Sequence, residues 1–163
     1  MASTDADDCK HYIGSVQDVR QRCRTTAEVG GRKVTVFALK TSFYALDDKC
    51  YHAGGPLELG DIEEINNDLC IVCPWHKYII KLSSGEGVYQ GIDPATKKTE
   101  WKTKGVKQRV HEVVVENGHV YVRLNLAGKL DCDRYYTEEY RKLMNEDVVD
   151  LKFDFSDPNT KIE

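Results

Sequence analysis

An all-β domain is what this sequence predicts, on three observations. Gly30-Gly31 separates two runs of alternating apolar residues, Asn117-Gly118 separates two more, and the long stretch between them shows little helical periodicity. The chain has 163 residues, of which 40% are apolar, enough for one domain with a core of its own.

Residues 1–10 read as a flexible acidic leader, neither a secretory signal nor an Arg-rich transit peptide. Residues 11–16 suit a first short strand. The runs 23–29 and 32–39 pair through a two-residue loop, a register that sets Glu28 opposite Lys33. Residues 42–47 form the next strand. Residues 48–105 hold three of the four prolines and seven of the twelve glycines, so loops and short strands organised by something other than a large core are expected there. Strand pattern returns over 108–125. The turn at Asn117-Gly118 pairs Val115 with Val120, Val113 with Val122 and Glu112 with Arg123, giving one apolar face that Leu124 completes. A short helix is expected over about 137–145. Thr137 is its N-cap, Glu138 and Glu139 sit in the first turn, and Arg141 and Lys142 follow. Beyond it Leu151, Phe153 and Phe155 alternate with polar residues like a strand.

Several functions are excluded at this level. No apolar run approaches the roughly 20 residues of a membrane helix. The net charge of −4 argues against a general nucleic-acid binder. No dinucleotide fingerprint, P-loop or nucleophile elbow is present, so the chain cannot take electrons from a nicotinamide cofactor unaided. These features place a soluble protein in the cytoplasm. With no export signal, the six cysteines point to metal ligation rather than to disulfides.

The metal chemistry concentrates in two short segments. Cys50-Tyr51-His52-Ala53-Gly54-Gly55-Pro56-Leu57 and Cys73-Pro74-Trp75-His76 each offer one thiolate and one imidazole. Such donors suit zinc, iron or an iron–sulfur centre. Zinc fingers usually group their cysteines and then their histidines. Here the order is Cys-His then Cys-His, which suits a two-metal centre with both thiolates on one ion and both imidazoles on the other.

With Cys-x-His-x-Gly-x-Pro-Leu matched at Cys50, His52, Gly54, Pro56 and Leu57, and Cys-Pro-Trp-His at 73–76, the sequence resembles the Rieske [2Fe–2S] ferredoxin family. The surrounding residues look most like the small soluble Rieske-domain proteins of animals. The resemblance covers about residues 11–126, leaving 127–163 as a C-terminal extension. It implies a Rieske-type antiparallel β sandwich into which a cluster-binding subdomain, about 48–105, is inserted. It implies one [2Fe–2S] cluster per subunit, with Cys50 and Cys73 on the inner iron and His52 and His76 on the outer, more exposed one. The implied activity is one-electron transfer between a flavoprotein reductase and an acceptor such as an oxygenase, not catalysis. An oxygenase also needs a mononuclear iron site, and no histidine follows residue 126. The alternative is a non-catalytic redox-sensing or zinc-binding interaction module.

High-potential family members carry a disulfide whose cysteines would fall at Gly55 and Pro74, and a serine where this chain has Tyr78. Fewer donors to the sulfurs imply a potential in the lower part of the Rieske range of about −150 to +300 mV. Lys77 stands where the family usually has Gly. Lys49 and Lys77 read as steering cations for an acidic partner or as solvated lysines. Trp75 reads as a shield over the centre or as simple packing. Residues 95–105, with Trp101 as an anchor, read as a docking patch or as a solvated loop. Cys70 reads as a buried strand residue. His11, His111, His119, Cys9, Cys23 and Cys132 are given no role.

Overall fold

The computed structural model describes residues 9–150, the side chains among them as far as residue 144. Most of the acidic leader and the strand expected at Leu151, Phe153 and Phe155 lie outside the described residues. The chain divides into two compact units, Met1–Asp133 and Arg134–Glu163.

In the first unit the strands are β1 (Lys10–Ser15), β2 (Arg24–Val29), β3 (Arg32–Leu39), β4 (Ser42–Asp47), β5 (Asp61–Ile65), β6 (Asp68–Val72), β7 (Ile79–Lys81), β8 (Glu86–Ile92), β9 (Thr99–Val106), β10 (Val110–Glu116) and β11 (His119–Arg123). They form two antiparallel sheets. A six-stranded sheet runs β1-β11-β10-β4-β3-β2, and a five-stranded sheet runs β5-β6-β7-β8-β9. The first is built from the flanks of the chain and the second entirely from the insert.

Turn chemistry sets the hairpin registers. Gly30-Gly31 (φ 56° and 79°) and Asn117-Gly118 (φ 50° and 77°) take the left-handed conformations that a two-residue hairpin loop requires. Glu28 therefore faces Lys33, and Val113, Val115 and Glu112 face Val122, Val120 and Arg123. Val120 and Val122 are fully buried, whereas Val115, expected on the same apolar face, is 47% exposed at the hairpin's end.

Two cores result. One gathers Val19, Val29, Val34, Val36, Ala45, Val120 and Val122 from the six-stranded sheet. The other joins the sheets, with Phe37 and Leu46 from the base, Ile71, Ile80 and Leu82 from the insert, and Cys50 and Cys73 among them. Each fully buried side chain of this kind contributes about 1.5–3 kcal/mol. Strand β3, paired between β4 and the edge strand β2, feeds both cores, with Val34 and Val36 in one and Phe37 in the other.

A helix missed at the sequence level, α1 (Val16–Arg22), follows β1. Ser15 is its N-cap, accepting from the Asp18 amide at 3.1 Å. Residues 99–106 correct the solvated-loop reading: they form β9, an edge strand paired with β8. Its lysines suit an edge, because charge there discourages pairing with other chains. In the second unit α2 (Glu138–Asp150) begins where expected, with the Tyr140 amide donating to Thr137 Oγ1 at 3.2 Å.

A buried charged network closes the base. Arg109, 1% exposed, donates to both carboxylate oxygens of Asp133 (2.9 and 2.6 Å) and to the carbonyls of Asn125, Ala127 and Gly128. Arg32 bridges Asp47 (2.6 Å) and Asp133 (2.8 Å). His111 accepts the Asn125 amide at Nδ1, so its Nε2–H donates to Asp47 Oδ1 at 2.7 Å. Burial alone raises the Asp133 carboxyl, but hydrogen bonds from Arg109, the Leu130 amide and Arg32 outweigh it and hold the group far below the ordinary carboxylate range. A carboxylate depressed on folding contributes stability that is full above its unfolded pKa of about 3.9 and is lost as pH falls through the folded value. Denaturant unfolding between pH 7 and pH 2 is expected to show this acid limb, and Asp133→Asn to flatten it. An unchanged limb in the variant would assign the acid sensitivity elsewhere.

Candidate metal centre

Two tight loops at adjacent ends of the sheets carry the four donors. The first leaves β4 and doubles back. Cys50 N–H donates to Gly55 O at 2.9 Å, Gly54 N–H to Cys50 O at 2.8 Å, and Leu57 N–H to Asp48 O at 2.8 Å. The second joins β6 to β7 and is closed by Cys73 N–H donating to Tyr78 O at 2.8 Å. At its tip His76 and Lys77 both take positive φ, 65° and 58°. That backbone favours glycine, which is why a lysine at position 77 is notable.

The donors are graded from inside to outside. Cys50 and Cys73 are each 1% exposed. His52 is half-buried and His76 exposed. Burial pushes the Cys50 thiol well above the usual cysteine range, the His52 and Ala53 amides oppose this by donating to the sulfur, and the Cys73 sulfur beside it pushes further up. Two buried sulfurs this close call for positive charge between them before both ionise. The His52 and His76 rings lie 5.1 Å apart, edge to face. Nδ1 of His52 is buried with no hydrogen-bond partner, an atom positioned as a ligand rather than as part of a network. Among the described residues, the trio whose donor atoms all lie within 4.8 Å of one another is Asp47, Cys132 and Asp133, not any three of these four. That spread suits a two-metal cluster better than a single tetrahedral ion. In the Asp47 trio the two carboxylates are already paired with Arg32 and Arg109, and His111 hydrogen-bonds Asp47.

Other predicted residues fall into place around them. Cys70 is buried in β6, as expected of a strand residue. All six cysteines are free. Trp75 is 49% exposed, a partly solvated cover rather than a core side chain. His119 contacts Tyr12 on the base sheet, and His111 belongs to the buried network. A Cβ at Gly55 would lie 2.7 Å from Cys73 Sγ and 3.0 Å from Trp75 Cγ. Gly55→Ala is therefore expected to displace Cys73 and cost about 1–3 kcal/mol through overpacking, read by urea denaturation. Wild-type stability in the variant would show that the loop yields.

Three supporting residues have contacts that the sequence did not signal. Gln108 accepts from the Tyr51 amide (2.9 Å) and donates to the carbonyls of Asp47 (2.7 Å) and Lys49 (2.9 Å), holding the first loop from 57 residues away. Tyr78 stacks on His52 with ring centroids 3.8 Å apart and planes 9° from parallel. The Lys104 ammonium lies 4.3 Å from the Tyr78 centroid.

Comparison with known proteins places this geometry. Residues 11–127 match the family described as soluble Rieske-type ferredoxins. A human Rieske domain-containing protein is 48% identical over 132 residues, which span 79% of this chain and 84% of the human one. Among solved structures, the ferredoxin of carbazole 1,9a-dioxygenase from Nocardioides aromaticivorans IC177 superposes with a TM-score of 0.55 at 21% identity, covering 72% of this chain and all of that one. A complex of reduced oxygenase and oxidised ferredoxin in carbazole 1,9a-dioxygenase gives a TM-score of 0.52 at 24% identity, over 72% of this chain and 96% of that one. At these identities the two structures establish a shared fold.

Proposed function

This chain belongs to the family of soluble Rieske-type ferredoxins, and from that membership we propose that it carries single electrons on one [2Fe–2S] cluster between a flavoprotein reductase and an acceptor such as an oxygenase. In this reading Cys50 and Cys73 hold the inner iron as thiolates, and His52 and His76 hold the outer iron as neutral imidazoles. Bound there, the cluster supplies a reversible one-electron couple.

The observation that most supports the reading is the orphaned, buried Nδ1 of His52 beside the His76 ring, with both cysteine sulfurs buried behind them. The chain's own residues then have distinct tasks. The core around Cys50 and Cys73 excludes water from the sulfurs. The His52 and Ala53 amides donate to Cys50 and favour its thiolate. Gln108 and the short loop hydrogen bonds hold the ligands in place, limiting rearrangement when charge changes. His76, at the surface, lets a partner approach closely. The carbazole dioxygenase ferredoxin and oxygenase, solved as a complex, support an oxygenase as the class of acceptor. Among the described residues no helix is long and apolar enough to cross a membrane.

With Tyr78 where high-potential members carry a serine, and no cysteine at Gly55 or Pro74 to form their disulfide, the potential is expected in the lower part of the range of about −150 to +300 mV. Redox titration of purified protein, followed by its visible absorption, tests both parts of the proposal. Equal iron and acid-labile sulfide with a low midpoint support it. A midpoint above about +150 mV, in the upper half of that range, would contradict the tuning argument. One zinc ion without sulfide would contradict the carrier itself.

A further inference from the structure

His76 borders an open depression of about 260 Å³, walled in part by Tyr78, Tyr89, Trp101 and Lys104. Trp101 and Tyr89 remain 38% and 40% exposed. Lys104 lies over Tyr78 at 4.3 Å and near Tyr89 at 5.7 Å. All eight residues of β9 are exposed along the outer edge of their sheet.

The charge here is opposite to that of the chain as a whole. Residues 77–107 hold seven lysines against Glu86, Asp93 and Glu100, a net +4 in a chain of net −4. Lys81 is paired with Asp68 and Lys107 with Asp131, and Glu86 accepts from the Thr103 hydroxyl. Among the described residues, Lys77, Lys97, Lys98, Lys102 and Lys104 have no carboxylate within 4.0 Å. Edge protection explains lysines on β9 but not the half-exposed tryptophan and tyrosine lining a depression beside His76. Interfaces are centred on aromatic anchors within a polar rim, and charge patches steer partners of opposite sign.

We propose that this lysine-rimmed aromatic depression docks the acidic face of the protein's redox partner, with Trp101 and Tyr89 as contact anchors and His76 as the point of electron exit. The inference rests on the electron-carrier reading and names the partner's chemistry.

Inorganic oxidants of opposite charge test the steering. The reduced holoprotein gives one electron either to hexacyanoferrate(III), forming hexacyanoferrate(II), or to tris(phenanthroline)cobalt(III), forming the cobalt(II) complex. At low ionic strength Lys102→Glu with Lys104→Glu is expected to slow the anion about tenfold and to speed the cation by a similar factor. A change in potential moves both rates the same way, so opposite movement isolates the local charge. Lys40→Glu, in the turn between β3 and β4, serves as the control and should change neither rate by more than a small factor. Reduced flavodoxin, an acidic protein that gives one electron to the oxidised holoprotein and is itself oxidised by one electron, probes the anchors: Trp101→Ala is expected to raise its half-saturating concentration about fivefold and leave the limiting rate unchanged. Parallel changes with both oxidants, an equal effect of Lys40→Glu, or unaltered saturation by flavodoxin overturns the docking surface while leaving a cluster-bearing carrier intact. Wild-type protein without iron and sulfide overturns both.

Discussion

Arg109→Ala is expected to remove about 3–5 kcal/mol of folding stability, a large share of the 5–15 kcal/mol typical of a domain. The side chain is 1% exposed and makes two bonds to Asp133 and three to the carbonyls of residues 125, 127 and 128. Deleting it leaves a cavity, a carboxylate with half its partners and three carbonyls short of a donor. Arg109→Lys is expected to recover only part of the loss, because an ammonium cannot reproduce the planar fork that reaches Asp133 and the chain beyond it at once. Urea unfolding followed by circular dichroism reads the difference. A cost below about 1 kcal/mol for the alanine variant, the level of an exposed ion pair, would mean that the network is replaceable.

The second large effect separates cysteines that look alike by burial. Cys50, Cys70, Cys73 and Cys132 are all buried. Alanine at Cys50 or Cys73 is expected to abolish iron binding and the visible absorption that accompanies it. Alanine at Cys70 or Cys132 is expected to leave both in place, with a loss of stability only. Cys70 sits in β6 with its thiol toward Asp68 O. Cys132 accepts from the Arg109 amide and faces Asp47. His76→Ala is expected to change the EPR spectrum of the reduced protein, since it alters the iron that two imidazoles would share. Iron, sulfide and zinc analysis of the purified variants checks the set. Iron retained without Cys73 would remove that residue from the ligands, and an unchanged spectrum without His76 would remove the imidazole.

Legibility tracked the range over which each interaction acts. The Gly30-Gly31 and Asn117-Gly118 hairpins were readable to the residue, because a two-residue turn and period-two alternation leave one register. The four proposed ligands could be picked out because each Cys-His pair lies within one short loop. Helix α1 was not, since seven residues with only Val19 buried carry too little periodicity to stand out. Strand β9 was read as a patch or a loop because neither of its faces is buried, so nothing in it alternates. Gln108, Tyr78 and Lys104 act across folded distance. Gln108 meets Tyr51 across 57 positions and Arg109 meets Asp133 across 24, separations over which sequence pattern says nothing about proximity. Tyr78 was noticed only as a missing serine; its stacking on His52 emerges once the two loops are brought together.

Gln108 joins the beginning and the end of the 48–105 segment, since its side chain bonds Asp47, Lys49 and Tyr51 while its own backbone leads into β10. Both leads of the segment therefore leave the base at one point. The portion that carries the candidate metal centre behaves as a cartridge seated in a fixed socket. Its interior loops can lengthen at little entropic expense while β4 and β10 stay paired beneath, so different redox characters can be plugged into one unchanged frame.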